Sequence, residues 1–408
     1  MKFINNELKK KKCRLCCSED LEIIYKFKKS PVGDDYTKKI KKLPRYELKL
    51  QLCNSCKFVQ LSNVINPDKV YGEYLYVTKT SHGLVQHFQN LYQYLLKSKI
   101  VKQKSKILEI GSNDGSLLKF FKKNCKELLA VDPAAHLFKD KKIKNIGKHF
   151  TNKTSFEILK DYGKFDTIIA NNVLANIDDL DDMFCGIKNI LNQNGHLVVE
   201  TFSLYGIIQN NLIDNIYHEH LSYFTIESFS KFAKKYGLFL KEVKFLQVKG
   251  GSLRFIFKNA KLKITKKNSE FIKREKNILK NIKKSFKILR ELNFKNSKKL
   301  NLLKNSKKIK KEKILGFGAS VGTTTLIYDF MLENKIDYLF DNEKRRHNLY
   351  CPGTKIKVLN PKLIKKLNSE YIIIFAWRYA KVIIKKNKKY FKKNVKFVIP
   401  LPKLKILQ

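Results

Sequence analysis

The sequence contains no apolar run close to the 18 residues that a membrane-spanning helix needs, and residues 1–5 carry no signal-peptide pattern. Arginine is scarce among the 85 lysine and arginine residues, although the formal net charge is +49. The lysines are spread along the whole chain, whereas a nucleic-acid site needs its charge gathered on one face. We therefore expect a soluble cytoplasmic protein with neither a membrane nor a nucleic acid as its partner.

Two common phosphate-binding motifs are missing from the glycine turn at 109–115. Its spacing, Glu-x-Gly-x-x-x-Gly, differs from the dinucleotide pattern Gly-x-Gly-x-x-Gly, and no Gly-Lys-Ser/Thr follows to hold a triphosphate. The turn follows a short apolar run at 106–110, typical of a buried parallel strand, and precedes helical periodicity at 116–123. Asp132 ends the next predicted strand, where a carboxylate can bind a ribose diol. These features favour an adenosine-bearing cofactor over a merely structural turn.

Strands and helices alternate from residue 106 to 260, which predicts a parallel α/β sheet. A final β-hairpin at 238–245 and 252–257 is typical of methyltransferase sheets rather than hydride-transfer domains. The predicted strands are 106–110, 128–132, 166–171 and 196–201, and the predicted helices are 116–123, 153–161, 179–191 and 225–236. Ligands of such sheets bind beyond the carboxyl ends of the strands. The residues expected there, around the cofactor, are Glu109, Gly111, Ser112, Asn113, Asp114, Gly115, Asp132, Pro133, Asn171 and Asn172.

Four cysteines form two C-x-x-C pairs in the first 70 residues. Cys13 and Cys16 make the first pair, and Cys53 and Cys56 make the second. Two such pairs predict a structural zinc site, in which four thiolates close a tetrahedron and leave no open position for catalysis. Cys17 could replace Cys16 as a ligand, and four reduced, buried cysteines are the structural alternative. A zinc ribbon could also bind nucleic acid.

Two imidazoles, a carboxylate and two phenols fall within the segment 216–224. His220 or His218 could act as a general base near neutral pH. A zinc site formed by the two histidines with Glu219 is the alternative, but alternate residues of an extended loop point opposite ways, and the spacing is not H-E-x-x-H. Because the segment emerges beside the predicted cofactor crevice, we expect it to be functional.

The C-terminal part of the chain predicts a second α/β unit. The segment 316–322, Gly-x-Gly-x-x-x-Gly, is another phosphate-compatible turn, and Asp341 ends the following predicted strand. Lysine-rich amphipathic helices at 261–312 are expected to join the two units. Two crevice-bearing domains suit a cofactor on one side and a nucleotide-linked substrate on the other. Tyrosines before the first unit, including Tyr76, either line its pocket or simply pack.

Taken together, the motifs resemble those of a known enzyme family. After the four-cysteine module they are, in chain order, Leu-Glu-Ile-Gly-Ser-Asn-Asp-Gly-Ser, Val-Asp-Pro-Ala, Asn-Asn-Val-Leu-Ala-Asn, Tyr-His-Glu-His-Leu-Ser-Tyr-Phe, Gly-Gly-Ser-Leu-Arg, Gly-Phe-Gly-Ala-Ser and Pro-Gly-Thr. Over nearly its full length the chain resembles the deoxysugar C-methyltransferases. These are S-adenosylmethionine-dependent enzymes that methylate C3 of nucleotide-linked 4-keto-deoxysugars.

The resemblance implies an N-terminal zinc-binding domain at 1–70 and a class I methyltransferase domain, which is Rossmann-like, at 71–262. Residues 263–408 would form a helical linker and a second Rossmann-like α/β domain that binds the nucleotide sugar. The implied cofactors are S-adenosylmethionine and a structural Zn²⁺, and the implied role is in surface polysaccharide or glycoside biosynthesis. The protein would be a monomer or a homodimer.

The family's catalytic base matches His220, which would remove the C3 proton of the keto-sugar. Tyr217 and Glu219 match its pocket partners and would hydrogen-bond the substrate as enolate charge develops. The residues expected to bind the substrate are Tyr76, Tyr223, Gly316, Gly318, Ala319, Ser320 and Asp341.

Several positions depart from the family pattern. Asn176 and Lys249 stand where histidine is usual, and Arg378 stands where asparagine is usual. Further departures are Val321, Thr323 and Asn348. Two alternative functions follow: an O- or N-methyltransferase acting on a related nucleotide sugar, and a zinc-ribbon protein that binds or methylates RNA.

Overall fold

The computed structural model describes residues 6–71, 77–81, 83–140, 142–303, 313–367 and 369–408. The N-terminal module consists of short strands followed by helices, which are β1 (Glu7–Lys9), β2 (Leu21–Lys26), β3 (Lys49–Cys53), β4 (Val59–Leu61), β5 (Asn63–Ile65), α1 (Pro67–Tyr71) and α2 (Leu84–Lys97). β2, β3 and β4 pair antiparallel, and β1 pairs with β5. Among the described residues, no helix combines the length and the apolar character needed to cross a bilayer.

The central domain alternates strands and helices. Its elements are β6 (Lys106–Ile110), β7 (Glu127–Val131), β8 (Lys144–Ile146), α3 (Asn152–Tyr162), β9 (Phe165–Asn171), α4 (Leu180–Ile190), β10 (Leu191–Phe202), α5 (Leu204–Asn210), β11 (Ser222–Tyr223), α6 (Ile226–Lys234), β12 (Phe239–Leu246) and β13 (Ser252–Lys258). The sheet order is β8-β7-β6-β9-β10-β13-β12, and β13 alone runs antiparallel to both of its neighbours in the described sheet. The predicted closing hairpin is β12 and β13.

The C-terminal part begins with two helices, α7 (Lys266–Ile278) and α8 (Ile282–Leu302). The elements after them are β14 (Ile314–Phe317), α9 (Val321–Asp329), β15 (Tyr338–Phe340), β16 (Lys357–Leu359), β17 (Tyr371–Ile374), α10 (Ala380–Asn387), β18 (Lys396–Ile399) and β19 (Lys405–Leu407). The sheet order is β16-β15-β14-β17-β18-β19, with the first five strands parallel. Two Rossmann-like sheets and an N-terminal cysteine-bearing module confirm the predicted fold class.

The helix predicted at 116–123 is wrong. The segment forms a 3-10 turn at Leu118–Phe121. The carboxylate of Asp114 accepts hydrogen bonds from both the backbone N–H and the hydroxyl of Ser116. Such local side-chain bonds compete with helical ones, so the first glycine turn runs into a longer loop.

One of the hydrophobic clusters draws residues from all three parts of the chain. Leu50 of β3 and Leu212, which follows α5, are buried in the same cluster as Phe286 of α8 and Phe375, which follows β17. In addition, β11 of the central domain pairs antiparallel with β4, so it extends the sheet of the N-terminal module. The modules are therefore packed on one another, and the loop before β11 lies between them.

Candidate active site and zinc site

The four cysteines of the two C-x-x-C pairs converge. Their sulfur atoms all lie within 4.8 Å of one another, with Cys13 Sγ 3.6 Å from Cys56 Sγ and Cys16 Sγ 3.5 Å from Cys53 Sγ. Zinc–sulfur bonds of about 2.3 Å in a tetrahedron place the sulfurs about 3.8 Å apart. The cluster therefore fits a closed, four-thiolate zinc site.

The backbone of both cysteine pairs has the same shape. Cys17 N–H donates to the Cys13 carbonyl at 3.0 Å, and Lys57 N–H donates to the Cys53 carbonyl at 2.9 Å. Both donors have a left-handed φ of 60°. Cys17 is exposed and lies outside the cluster, so Cys16 is the better ligand of the two.

The turn after β6 is held by a carboxylate at the end of β7. Asp132 accepts the backbone N–H of Asn113 at 2.8 Å and that of Ala134 at 2.7 Å. Gly111 and Asn113 have left-handed φ values of 74° and 48°, which suit glycine and asparagine. A Cβ on Gly111 would lie 2.9 Å from the Cβ of Val173, so the turn is also closely packed.

Buried polar atoms that have no hydrogen-bond partner among the described residues surround this turn. They are Glu109 Oε2, Ser112 Oγ, Asn172 Oδ1 and both amide atoms of Asn171. Burial, with Asp132 nearby, raises the pKa of Glu109 well above its ordinary value. Buried polar groups are normally paired, and this set therefore fits a polar ligand with hydroxyl and amine groups.

The remaining predicted cofactor residues have different positions. Asp114 accepts the backbone N–H of Lys79 at 3.2 Å, and a Cβ on Gly115 would come 2.3 Å from the ring of Phe138. These two residues shape the turn and do not line the cleft in front of it, whereas Pro133 does.

The second glycine turn repeats the construction of the first. Asp341, after β15, accepts the backbone N–H of Ala319 at 2.6 Å. Gly318 has a φ of 100°, and Ser320 caps α9. Gly316 lies within β14, where a Cβ would be 2.6 Å from Leu339, so it packs the sheet and does not face the cleft.

One cleft of about 1480 Å³ runs between the two turns. Its lining includes Gly111 and Asp132 on one side and Gly318 and Asp341 on the other. The loop that bears His220 lines the same cleft. The geometry therefore brings the two predicted crevices and the predicted base into a single space.

The hydrogen bonds of His220 fix its tautomer. Its Nδ1 lies 2.7 Å from the carbonyl oxygen of Asn215, which can only accept, so Nδ1 carries the proton. Its Nε2 then accepts from the hydroxyl of Tyr217 at 2.8 Å. Burial, with the Lys249 ammonium nearby, lowers the pKa of His220 to about 3. The side chain is a neutral imidazole of a residue that lines the cleft, and its basic nitrogen is the one bonded to Tyr217.

Glu219 and His218 differ in what they face. Burial raises the pKa of Glu219 to about 8, and this residue lines the cleft. His218 is buried against Tyr46, with 6.0 Å between ring centres, and does not line the cleft. Among the described residues, His218, Glu219 and His220 do not form a group that could hold a metal, so the alternative of a second zinc site is not supported.

Three of the residues predicted to bind substrate do not line the cleft, namely Gly316, Ala319 and Tyr223. Tyr223 is fully buried in β11, and its hydroxyl has no hydrogen-bond partner in the described parts of the chain. Tyr76 falls outside the described residues.

Sequence reasoning missed a charged pair at the cleft. Asp34 of the N-terminal module and Arg346 after β15 lie 2.7 Å apart, and both side chains are largely buried. They line the cleft beside the second turn. The two residues are 312 positions apart, and neither belongs to a motif that could have indicated the contact.

Three family models match the chain in succession. They are "Putative zinc binding domain" at residues 13–71, "Methyltransferase domain" at 84–243 and "C-methyltransferase C-terminal domain" at 247–402. C-methyltransferase NovU of Streptomyces niveus is 24% identical over 406 residues, which cover 97% of this chain and 96% of NovU. The chain is an S-adenosylmethionine-dependent C-methyltransferase. Its cofactors are S-adenosylmethionine and zinc.

Solved structures match the methyltransferase over less than half of its length. N-methyltransferase NodS of Bradyrhizobium japonicum, in complex with S-adenosyl-L-homocysteine, is 20% identical and has a TM-score of 0.33, with 44% of this chain and 89% of NodS covered. An S-adenosylmethionine-dependent methyltransferase of Clostridium acetobutylicum is 16% identical, with a TM-score of 0.33 and coverage of 43% and 91%.

Asp132→Asn is expected to weaken S-adenosylmethionine binding by the methyltransferase about 10- to 100-fold. The substitution removes the charge that would bind the ribose hydroxyls, and hydrogen bonds to charged groups contribute about 1.5–3 kcal/mol. Titration calorimetry measures the dissociation constant. Asp341→Asn is the matched control, because it makes the same change in the second turn, and it should leave this affinity within about twofold. Equal losses in the two variants would contradict the assignment.

The pH behaviour of His220 follows from its burial. Because the charged imidazolium is disfavoured, we expect His220 of the ligand-free methyltransferase to stay neutral at pH 5, where a solvated histidine is mostly charged. Lys249→Met removes a positive charge near the ring and should raise the pKa of His220. Nitrogen-15 spectra of the histidine side chains measure both effects. Titration of His220 near pH 6.5 in the parent enzyme would contradict this expectation.

Proposed function

We propose that this methyltransferase adds a methyl group to C3 of a nucleotide-linked 4-keto-deoxysugar. The reaction would take place in the cytoplasm, within surface polysaccharide or glycoside biosynthesis. One observation carries the proposal: His220, whose Nε2 is unprotonated, lines a cleft that both glycine turns also line. A 4-keto group acidifies the adjacent C3–H, and a fixed neutral base is what the removal of that proton requires.

The chain's own groups can carry the proton and the charge. Nε2 of His220 would take the C3 proton. The electron pair of the C–H bond would form a C3–C4 double bond, and the π pair of the C4 carbonyl would move onto its oxygen to give an enolate. Glu219, protonated because burial raises its pKa to about 8, could donate a hydrogen bond to that oxygen. The hydroxyl of Tyr217, released from Nε2, could donate another. S-adenosylmethionine supplies the electrophilic methyl group that C3 then attacks.

A base with a pKa of about 3 is weak for this task, because general bases work best when their pKa is near the operating pH. The developing enolate is an anion beside the imidazole, and an adjacent negative charge favours the imidazolium. Base strength would therefore rise in the ternary complex. His220 would therefore be a weak base in the free enzyme and a stronger base as the transition state forms.

The second glycine turn supports a nucleotide as the part of the substrate that binds beside it. Asp341, at the end of β15, has the position at which α/β domains bind a ribose diol. The backbone N–H groups at the start of α9, next to Ser320, favour an anion, and Arg345 and Arg346 line the same end of the cleft. These groups suit a diphosphate and a ribose.

Exchange of the C3 hydrogen into deuterium oxide tests the proposal. With a nucleotide-linked 4-keto-deoxysugar and no methyl donor, the enzyme should label C3, as seen by NMR or mass spectrometry. The matched 4-hydroxy sugar has no acidified C3–H and should stay unlabelled. Methyl transfer to a sugar hydroxyl, or to RNA, without any C3 exchange would refute the proposal and favour one of the alternatives.

A further inference from the structure

A buried ion pair joins the C-terminal domain to the loop that holds His220. The Nη1 of Arg378 lies 2.8 Å from Oδ2 and 2.9 Å from Oδ1 of Asp214. Trp377 Nε1 donates to the same carboxylate at 3.1 Å. The Asp214 side chain is 5% exposed and that of Arg378 is 22% exposed. Partly buried, charge-assisted contacts of this kind are stronger and better oriented than surface pairs.

The contact continues to the next residue and from there to the imidazole. Arg378 Nη2 donates to the side-chain oxygen of Asn215 at 3.3 Å, and Asn215 Nδ2 donates to the carbonyl of Lys249 at 3.3 Å. The backbone carbonyl of Asn215 accepts Nδ1–H of His220 at 2.7 Å. Asn215 thus makes two contacts: its backbone carbonyl fixes the tautomer of His220, and its side-chain oxygen accepts a hydrogen bond from Arg378.

Close packing leaves this arrangement little freedom. A Cβ on Gly250 would lie 2.9 Å from Cδ of Arg378, and one on Gly322 would lie 2.3 Å from the carbonyl oxygen of Asp214. A Cβ on Gly318 would meet the backbone of Ala376 at 2.8 Å. The segment 376–378 therefore packs closely against both the second glycine turn and the loop at 213–215.

We propose that Arg378 is a positioning residue for His220: by binding Asp214 and Asn215, it fixes the carbonyl that accepts Nδ1–H and thereby directs Nε2 into the cleft. The C-terminal domain thus sets the geometry of the base in addition to lining the substrate cleft. The inference rests on the proposed function in that His220 is taken as the base. The contacts themselves, however, can be tested without any substrate.

Arg378→Ala leaves the Asp214 carboxylate buried, with Trp377 as its remaining side-chain donor among the described residues. The loop at 213–215 should then shift to reach water, because an uncompensated buried charge is costly. His220 loses a fixed acceptor and should populate both neutral tautomers. A misplacement of about 1 Å can cost about 100-fold in rate, so kcat should fall about 10- to 100-fold with a smaller change in KM.

The experiment compares Arg378→Ala with Arg345→Ala, a matched loss of a guanidinium that lines the same cleft and pairs with Glu343 rather than Asp214. Nitrogen-15 spectra of histidine-labelled, substrate-free enzyme report the tautomer of His220, assigned by the signal that His220→Asn removes. Expected results are a single Nδ1–H tautomer in the parent enzyme and in Arg345→Ala, and a mixture in Arg378→Ala. Added guanidinium should restore the tautomer and part of kcat.

Asp214→Asn gives a second test that keeps the side-chain volume and removes the charge that orients Arg378. It should shift the tautomer in the same direction. An unchanged Nδ1–H tautomer in both variants, with KM raised and kcat retained, would overturn the proposal and make Arg378 a substrate-binding residue. If His220→Asn retained turnover, the proposed function would fail, whereas the imidazole spectra would still decide whether Arg378 positions the ring.

Discussion

His220→Asn is expected to lower the rate of methyl transfer about 10²- to 10⁴-fold, the usual contribution of a general base. The amide nitrogen of asparagine can still donate to the carbonyl of Asn215, but no basic nitrogen remains at the position of Nε2. S-adenosylmethionine binding should be unaffected, because the cofactor turn lies in another loop. Steady-state kinetics and C3 deuterium exchange measure the effect, and both should fall together.

The matched control is His218→Asn. His218 is two residues away and equally buried, but it packs on Tyr46 and does not line the cleft. Its replacement should change stability more than the chemical step, so kcat per folded molecule should remain within about tenfold. Turnover that survives in His220→Asn, or a larger kcat loss in His218→Asn, would remove His220 from the role of base.

Cys53→Ser is expected to abolish zinc binding and to unfold the N-terminal module. Structural zinc contributes about 10–16 kcal/mol of apparent binding free energy in small zinc domains, and that free energy is coupled to folding. β4 lies next to the cysteine cluster and pairs with β11. β11 begins two residues after His220. Loss of the metal should therefore also disturb the base loop and reduce methyl transfer. Elemental analysis and calorimetric melting measure the two effects.

Cys17→Ser is the control for the zinc site, since it changes the exposed cysteine adjacent to a ligand. It should retain one zinc per chain and the parent melting temperature. A variant lacking Cys53 that keeps its zinc, or a loss of zinc in Cys17→Ser, would show that the four-thiolate assignment is incorrect.

Sequence patterns within short segments predicted those features of the site that short segments form by themselves. The glycine turn, Asp132 at the strand end and the hairpin at the sheet edge each have a sequence signal that does not depend on distant residues. The helix predicted at 116–123 failed because periodicity does not report side-chain bonds such as the one that Ser116 donates to the Asp114 carboxylate.

Contacts between modules could not be predicted in this way. Arg378 and Asp214 are 164 positions apart, and their pairing depends on how two domains pack. Tyr223 illustrates the converse. It lies in the same motif as His220, but its side chain is fully buried in the core. Membership of a motif therefore indicated the loop, and packing decided which of its residues reach the cleft.

The hydrophobic cluster to which all three parts of the chain contribute limits which fragments of the chain can fold alone. Leu50, Leu212, Phe286 and Phe375 come from four different segments and are buried in one cluster. A fragment that ends at a family-model boundary would expose its share of that cluster to water, at a cost of about 25 cal/mol for each Å² of apolar surface. The three segments that the family models match therefore depend on one another for burial of their apolar side chains. They should melt in a single transition, and substitutions at their common boundary should be inherited together.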